Sequence, residues 1–350
     1  MSGGVDSSVT AALLVAQGYN VTGVYMKNWS DDLPGFHCPW EDDYRDALRV
    51  ATQLGIELQM VDFREQYRDK VVDYLIEGYR QGLTPNPDIM CNQEIKFKLF
   101  LEVCQSRGAD VIATGHYART QSGTLLSARD TQKDQTYFLY RVSEVALKQT
   151  LFPLGDITKS DVRSIAQQHN LHVADKKDSQ GICFIGDVSI ETFLKQFITT
   201  EPGSIIDKTT GKVVGEHDGA LFYTIGQRHG LGVGGGLPLY VVGKDMSKNE
   251  VYVTSDLHNE ALWSDQLQLR APHWINGPAQ VQKDYMARIR HQGALLSCQL
   301  DVVDGDMTQV RLSDPVRAAA AGQSVVLYES APTNGSDDGL WRVVGGGVIS

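Results

Sequence analysis

The sequence predicts an α/β protein: an N-terminal parallel-sheet nucleotide-binding domain (residues 1–200), a small β-rich central domain (201–260) and a C-terminal β-barrel-like domain (261–350). Three observations lead there. A glycine-rich turn opens directly into a helix, the arrangement by which doubly wound folds hold phosphates. Strand-like and helix-like runs alternate after it. From about Pro202 helical periodicity stops, and short alternating runs separated by glycine and aspartate take over. At 350 residues the chain is also too long for one ordinary core.

The turn is Ser2-Gly3-Gly4-Val5-Asp6-Ser7-Ser8. Its small residues leave backbone N–H groups open to an anion, and the helix behind it aims its positive end the same way. Val9, Ala12, Leu13 and Ala16 share one helix face, and Gly18 is the stop. The pattern lacks the lysine of a Walker loop. It resembles the Ser-Gly-Gly-x-Asp-Ser loop of the PP-loop ATP pyrophosphatases, which implies cleavage of ATP to AMP and pyrophosphate with adenylation of a substrate oxygen. A hydrophobic strand should precede such a loop, and only Met1 does, so the first strand is expected to be missing. A targeting peptide is therefore left open.

Val21–Met26 reads as a buried strand and Ser30–Asp43 as an acidic loop. Tyr44–Leu54 is helical, stopped by Gly55, and Glu57–Val61 is a strand. Tyr67–Gln81 is an amphipathic helix closed by Gly82. Two prolines keep Thr84–Asp88 out of a helix. Helix resumes near Asn92 and ends near Gly108, and Val111–His116 is a strand entering a turn. Met26, Asp62 and Gly115 stand at strand C-terminal ends, where the ligand crevice of a parallel sheet lies.

In the β-rich part, Ser204–Ile206, Val213–Val214, Tyr240–Val242 and Glu250–Thr254 form the central module. Gln280–Val281, Tyr285–Ile289, Leu295–Val303, Thr308–Leu312, Ser324–Tyr328 and Leu340–Val344 form the barrel, with Thr333–Gly339 as a polar hairpin tip. Gly230-x-Gly232-x-x-Gly235 fits the dinucleotide fingerprint but follows no strand and opens no helix, so it reads as a loop.

A net charge of −11 and a pI near 5.3 argue against a protein that coats nucleic acid, though not against a local basic groove. Lys176-Lys177 and Arg288-x-Arg290 are candidate pieces of one. No stretch is long enough for a membrane span. Five cysteines without paired short spacing do not form a secreted disulfide framework, and the chain reads as cytosolic. Cys91, expected at or near a helix N-terminus, has Asp88 three residues before it as a proton carrier. Cys183 lies beyond Lys176-Lys177 in Gly181-Ile182-Cys183-Phe184-Ile185-Gly186. Local sequence leaves both open between nucleophile and packing. Cys104 and Cys298 read as packing, and Cys38 beside His37 lacks partners at ligand spacing, which excludes a structural zinc site.

The phosphate turn, Asn86-Pro87-Asp88-x-x-Cys91-Asn92, Ala113-Thr114-Gly115-His116-Tyr117, Lys133-Asp134-Gln135-x-Tyr137-Phe138-Leu139 and the Cys183 motif stand in one order. With Gly226-Gln227-Arg228 and Gly345-Gly346-Gly347 beyond them, the chain resembles the tRNA-specific 2-thiouridylases (the MnmA/TrmU family) over nearly its whole length. The resemblance implies ATP held on Ser2, Gly3, Gly4, Val5, Asp6 and Ser7, with Met26 and Gly115 contacting the nucleotide and Mg2+ offsetting phosphate charge. The C2 oxygen of a tRNA wobble uridine would be adenylated and replaced by sulfur. Cys183 matches the persulfide carrier, Cys91 its partner nucleophile, and Asn86, Pro87 and Asp88 the base-contacting loop. Lys133, Asp134, Gln135, Arg290 and His291 match tRNA-contacting positions. A cysteine desulfurase or sulfur-relay protein is the implied sulfur donor. Gln292-Gly293, the acidic insertion around Leu33–Trp40 and the missing first strand depart from the family pattern. The alternatives are another adenylating PP-loop ligase, of the argininosuccinate synthetase or lysidine synthase kind, and an RNA-binding homologue without activity. Neither needs the two cysteines.

Overall fold

The computed structural model describes residues 1–32, 38–178, 188–234, 236–303, 306–331 and 339–350. The glycine turn enters α1 (Val5–Ala16), followed by β1 (Thr22–Lys27), α2 (Trp40–Leu54) and β2 (Glu57–Asp62). β1 and β2 are parallel, in register from Thr22↔Glu57 to Lys27↔Asp62. α2 begins at Trp40 rather than Tyr44, because Glu41, Asp42 and Asp43 fill a first turn whose dipole favours carboxylates. Met1 lies against β1, its amino group donating to the Val24 carbonyl.

Next come α3 (Arg64–Tyr67) and α4 (Asp73–Arg80), joined by a π-helical turn. α5 (Pro87–Met90) and α6 (Phe100–Ser106) are joined by the wide-turned stretch Cys91–Leu99. This helix starts earlier than expected. Pro87 has the fixed φ that suits a first helical position, and the Asn86 side chain caps the Asp88 and Ile89 amides at 3.0 and 3.3 Å.

The expected strand at Val111–His116 shortens to β3 (Ile112–Ala113), because the chain turns at Gly115 to meet the glycine turn. The hairpin β4 (Arg119–Gln121) and β5 (Thr124–Leu126) follows, then α7 (Glu144–Lys148), β6 (Thr150–Leu151) parallel to β3, α8 (Lys159–Gln168) and α9 (Ile190–Leu194). Leu75, Ile95, Leu139, Tyr140 and Phe193 are among the fully buried side chains of this core.

The central module is a four-stranded sheet of β7 (Gly203–Asp207), β8 (Val213–His217), β9 (Tyr240–Asp245) and β10 (Glu250–Thr254), in the order β8-β7-β10-β9. Ile205, Val241, Val251 and Val253 fill its core. The residues described within Gly230–Gly235 lie in the β8–β9 connection and form neither strand nor helix.

The last part is a closed barrel of β11 (Trp263–Trp274), β12 (Asp284–Arg288), β13 (Leu296–Val303), β14 (Met307–Arg317), β15 (Ser324–Ser330) and β16 (Trp341–Ile349). The order β11-β14-β13-β12-β15-β16 closes because β16 also pairs with β11. Gln280–Val281 forms no strand and leads by a turn into β12. β5 adds to β16 through Arg342↔Leu126, so the hairpin of the first part extends the barrel sheet.

Candidate active site

The glycine turn is held open by its own hydroxyls. Ser7 Oγ accepts from the Ser2 amide at 3.1 Å and donates to the Gly4 carbonyl at 3.2 Å, where Ser8 Oγ also donates at 2.8 Å. Gly4 is the N-cap of α1 and supplies no side-chain cap, so the positive end of the helix is left to a ligand. Gly3 has φ +75°, and a Cβ there would collide with the Asp43 carbonyl. A Cβ at Gly115 would lie 2.9 Å from the Asp6 carbonyl carbon and the Ser7 nitrogen. Both glycines let neighbouring backbone close on the turn.

Asp6, in the first turn of α1, is clamped. Tyr117 Oη donates to it at 2.9 Å, and Lys159 Nζ bonds both carboxylate oxygens at 2.7 and 2.9 Å. Burial and the facing Asp6 push the Tyr117 hydroxyl far up, which keeps it a donor. The same Lys159 ammonium bonds Asp178 at 2.7 Å, and Asp178 also takes Arg163 at 2.9 Å and Lys133 at 2.8 Å. Burial alone would raise Asp178, but hydrogen bonds from Lys133 and Lys159 outweigh it and hold the carboxyl at about 2. Lys176 bonds the Gly3 carbonyl at 3.1 Å and Asp43 and Asp46 at 2.8 Å each. It braces the turn and is not part of an open basic groove.

Met26 stands half-buried near the end of β1, paired with Val61, and Lys27 beside it lies 3.4 Å over the Trp40 ring. Cys91 is 1% exposed and sits within the helix begun at Pro87, one turn in from its N-terminus. The dipole argument for its thiolate is correspondingly weaker. Asp88 lies in the first turn of α5 and is partly exposed. Cys104 and Cys298 are buried, and burial raises both thiols, Cys298 to about 12.

Lys133 is half-exposed at the rim, tied to Asp178. Asp134 is buried, accepting from the Ala128 amide at 2.6 Å and from Thr136 Oγ1 at 2.5 Å, with Arg288 3.5 Å away. Gln135 Oε1 accepts from the Tyr117 amide at 2.9 Å. Arg290 is exposed and donates to the Arg317 carbonyl at 3.0 Å. The His291 ring packs 4.4 Å from Phe138; burial, then the nearby Arg288 and Lys133, lower its pKa, which favours neutral imidazole. Cys183 and its flanking glycines lie outside the described residues, as does the expected hairpin tip apart from Gly339.

Sequence reading missed Lys159, Tyr117 and Asp178. One signal existed for Lys159. Thr158 and Asp161 make a capping box that starts α8, which puts Lys159 at its first position, where the helix dipole disfavours a cation. A lysine so placed is stabilised by carboxylate partners.

The chain matches the family models described as the tRNA methyl transferase HUP domain over residues 1–187, the tRNA methyl transferase PRC-barrel domain over 191–255 and the aminomethyltransferase beta-barrel domain over 264–349. A tRNA-specific 2-thiouridylase MnmA of Listeria monocytogenes is 45% identical over 350 residues, covering 98% of this chain and 94% of that protein. One of Bacillus cytotoxicus is 44% identical over 336 residues, covering 94% and 90%. Among the described residues no helix is long and apolar enough to cross a membrane.

Proposed function

Because the chain belongs to the tRNA-specific 2-thiouridylase family, we propose that it thiolates C2 of the wobble uridine of tRNA at the expense of ATP, in the cytoplasm. The observation that carries this reading is the uncapped glycine turn with Asp6 clamped behind it. ATP supplies an adenylyl group that turns the C2 oxygen into a leaving group, and Mg2+ lowers the charge of its phosphates. The turn amides bind phosphate, Asp6 would be the carboxylate to hold the metal, and Met26 and Gly115 border the nucleotide. Asn86, Pro87 and Asp88 meet the base, with Asp88 handling a proton. Cys183 brings the terminal sulfur as a persulfide received from a desulfurase or relay protein. Cys91 attacks the Cys183 sulfur, a disulfide forms, and hydrosulfide adds to C2 as AMP leaves. Since Cys91 is buried, that attack requires the core around it to open. Lys133, Gln135, Arg290 and His291 receive the tRNA, and Asp134 supports them from inside.

Methyl transfer, which the family-model description names, gives a phosphate-binding turn no role. The test incubates the protein with Mg·ATP, tRNA and a persulfide donor, then follows AMP release and 2-thiouridine by nucleoside mass spectrometry. Both should appear, both should vanish in Asp6→Ala, and Cys183→Ser or Cys91→Ser should stop sulfur incorporation while ATP still binds. AMP release without sulfur in the wild type would instead mark an adenylating ligase, and unchanged turnover in Asp6→Ala would remove the turn as the nucleotide site.

A further inference from the structure

All three parts of the chain meet at one residue, Thr84, two positions before the Asn86-Pro87-Asp88 loop. Its backbone amide donates to the Ala321 carbonyl of the barrel at 2.8 Å. Its hydroxyl lies 3.0 Å from that of Thr224 in the central module. The contacts around it leave almost no slack. Gly322 has φ +91°, and a Cβ there would stand 2.6 Å from the Thr84 nitrogen. Pro85 is buried, and its ring fills the space beside Gly78, where a Cβ would come within 2.7 Å. On the opposite side Thr224 closes a turn with Gln227, whose Oε1 accepts from the Thr224 amide at 3.0 Å. A Cβ on Gly226 in that turn would collide with the Ala318 side chain of the barrel.

We infer that Thr84, Thr224 and Gly322 are positioning residues, through which the central module and the barrel set the place of the Asn86-Pro87-Asp88 loop and of the helix carrying Cys91. The inference rests on the reading that this loop meets the base. It follows from connectivity and stiffness. Two prolines fix φ on either side of Asn86, which leaves few soft dihedrals to absorb a displacement of Thr84 before the cap at Asn86. The phosphate turn stands apart from this junction, braced by Asp43, Gly115, Tyr117 and Lys159 instead. The chain thus has separate supports for its nucleotide and for its base-contacting loop.

The experiment compares Thr84→Val, Gly322→Ala and, as control, Gly243→Ala, whose Cβ would make only ordinary contact at 3.6 Å. Each full-length protein is assayed for ATP affinity, for kcat and for KM toward tRNA, and its amide hydrogen exchange is mapped. Thr84→Val keeps the shape and loses the hydroxyl bond, so kcat/KM for tRNA should fall about fivefold, the worth of one ordinary hydrogen bond. Gly322→Ala should cost roughly tenfold or more, by displacing the loop. In both, amides at Asp88–Cys91 should exchange faster, while those of α1 and the ATP affinity stay as in the control. Wild-type exchange and kinetics in a folded Thr84→Val and Gly322→Ala would overturn the inference. So would a loss of ATP affinity in step with the tRNA defect, which marks general destabilisation. If the wild type makes no 2-thiouridine, the proposed function falls, and the exchange map still decides whether Thr84 holds the loop.

Discussion

Replacing Lys159 by methionine keeps the side chain's length and removes one ammonium that bonds two carboxylates, Asp6 and Asp178. At 2.7 Å each pair is worth at most about 6 kcal/mol with an effective dielectric near 20. The net value is smaller. Asp6 keeps Tyr117, Asp178 keeps Lys133 and Arg163, and both acids are about one-third exposed, so water compensates part of the loss. Lys159 itself is only 15% exposed, which argues against a negligible effect. We expect about 2 kcal/mol, which lowers the melting of the N-terminal part by roughly 4–8 °C at neutral pH. The sign of the pH dependence follows from Asp178, held at about 2 against an ordinary 3.8. A depressed acid contributes its stability above the unfolded pKa and loses it as pH falls through the folded one. The gap between wild type and Lys159→Met should therefore be full near neutrality and narrow as the pH drops below about 4. Calorimetry over that range is the assay. A gap that does not change with pH, or no gap at all, would refute the placement of the ammonium between the two acids.

Arg290→Ala should reduce the salt dependence of tRNA binding by about one counterion, read as the slope of log K against log salt. Lys133→Ala should change that slope less, because Asp178 competes for its ammonium; equal slopes for wild type and both variants would take the two residues out of the interface. Lys244 gives a pH effect of the same sense in the alkaline range. Burial lowers its ammonium from 10.5 to about 8, so the unfolded chain holds more protons between those values and stability rises with pH across them. Lys244 donates to the Tyr223 carbonyl at 2.7 Å, and Lys244→Met should abolish the rise in a denaturation series; a rise that persists would assign it to another group.

The elements that sequence revealed well are those with a local cause. β1 is a mostly apolar run closed by Lys27, and α1 follows from the glycine turn, although it is buried on more than the one face expected, through Ser8, Thr10 and Leu14, and exposes Ala16. The misses come from causes that are distant in sequence. Nothing local in Arg119–Leu126 announces that the hairpin will join β16, since Leu126 pairs with Arg342, far along the chain. The helix begins at Pro87, earlier than local sequence suggests, because proline breaks a helix in its interior but starts one at a first helical position behind an Asn cap. The clamp on Asp6 draws Tyr117 and Lys159 from two other elements, and periodicity carries no information about such a meeting.

The charges around the phosphate turn also bear on how it can select its ligand. Among the described residues, Lys133, Lys159, Arg163 and Lys176 pair with Asp6, Asp43, Asp46 and Asp178, and Arg49 and His172 also stand against Asp46. The cations are already committed, and the chain as a whole carries −11. A bare polyanion therefore gains little Coulomb attraction here, and binding must come from backbone N–H groups and the α1 dipole, which act only at short range. The same balance removes Lys176 from a basic groove, while Lys177 beside it is exposed. The ammonium groups of Lys159 and Lys176 are tied to the acids behind the turn and fix its shape, whereas Arg290 is exposed and Lys133 half-exposed.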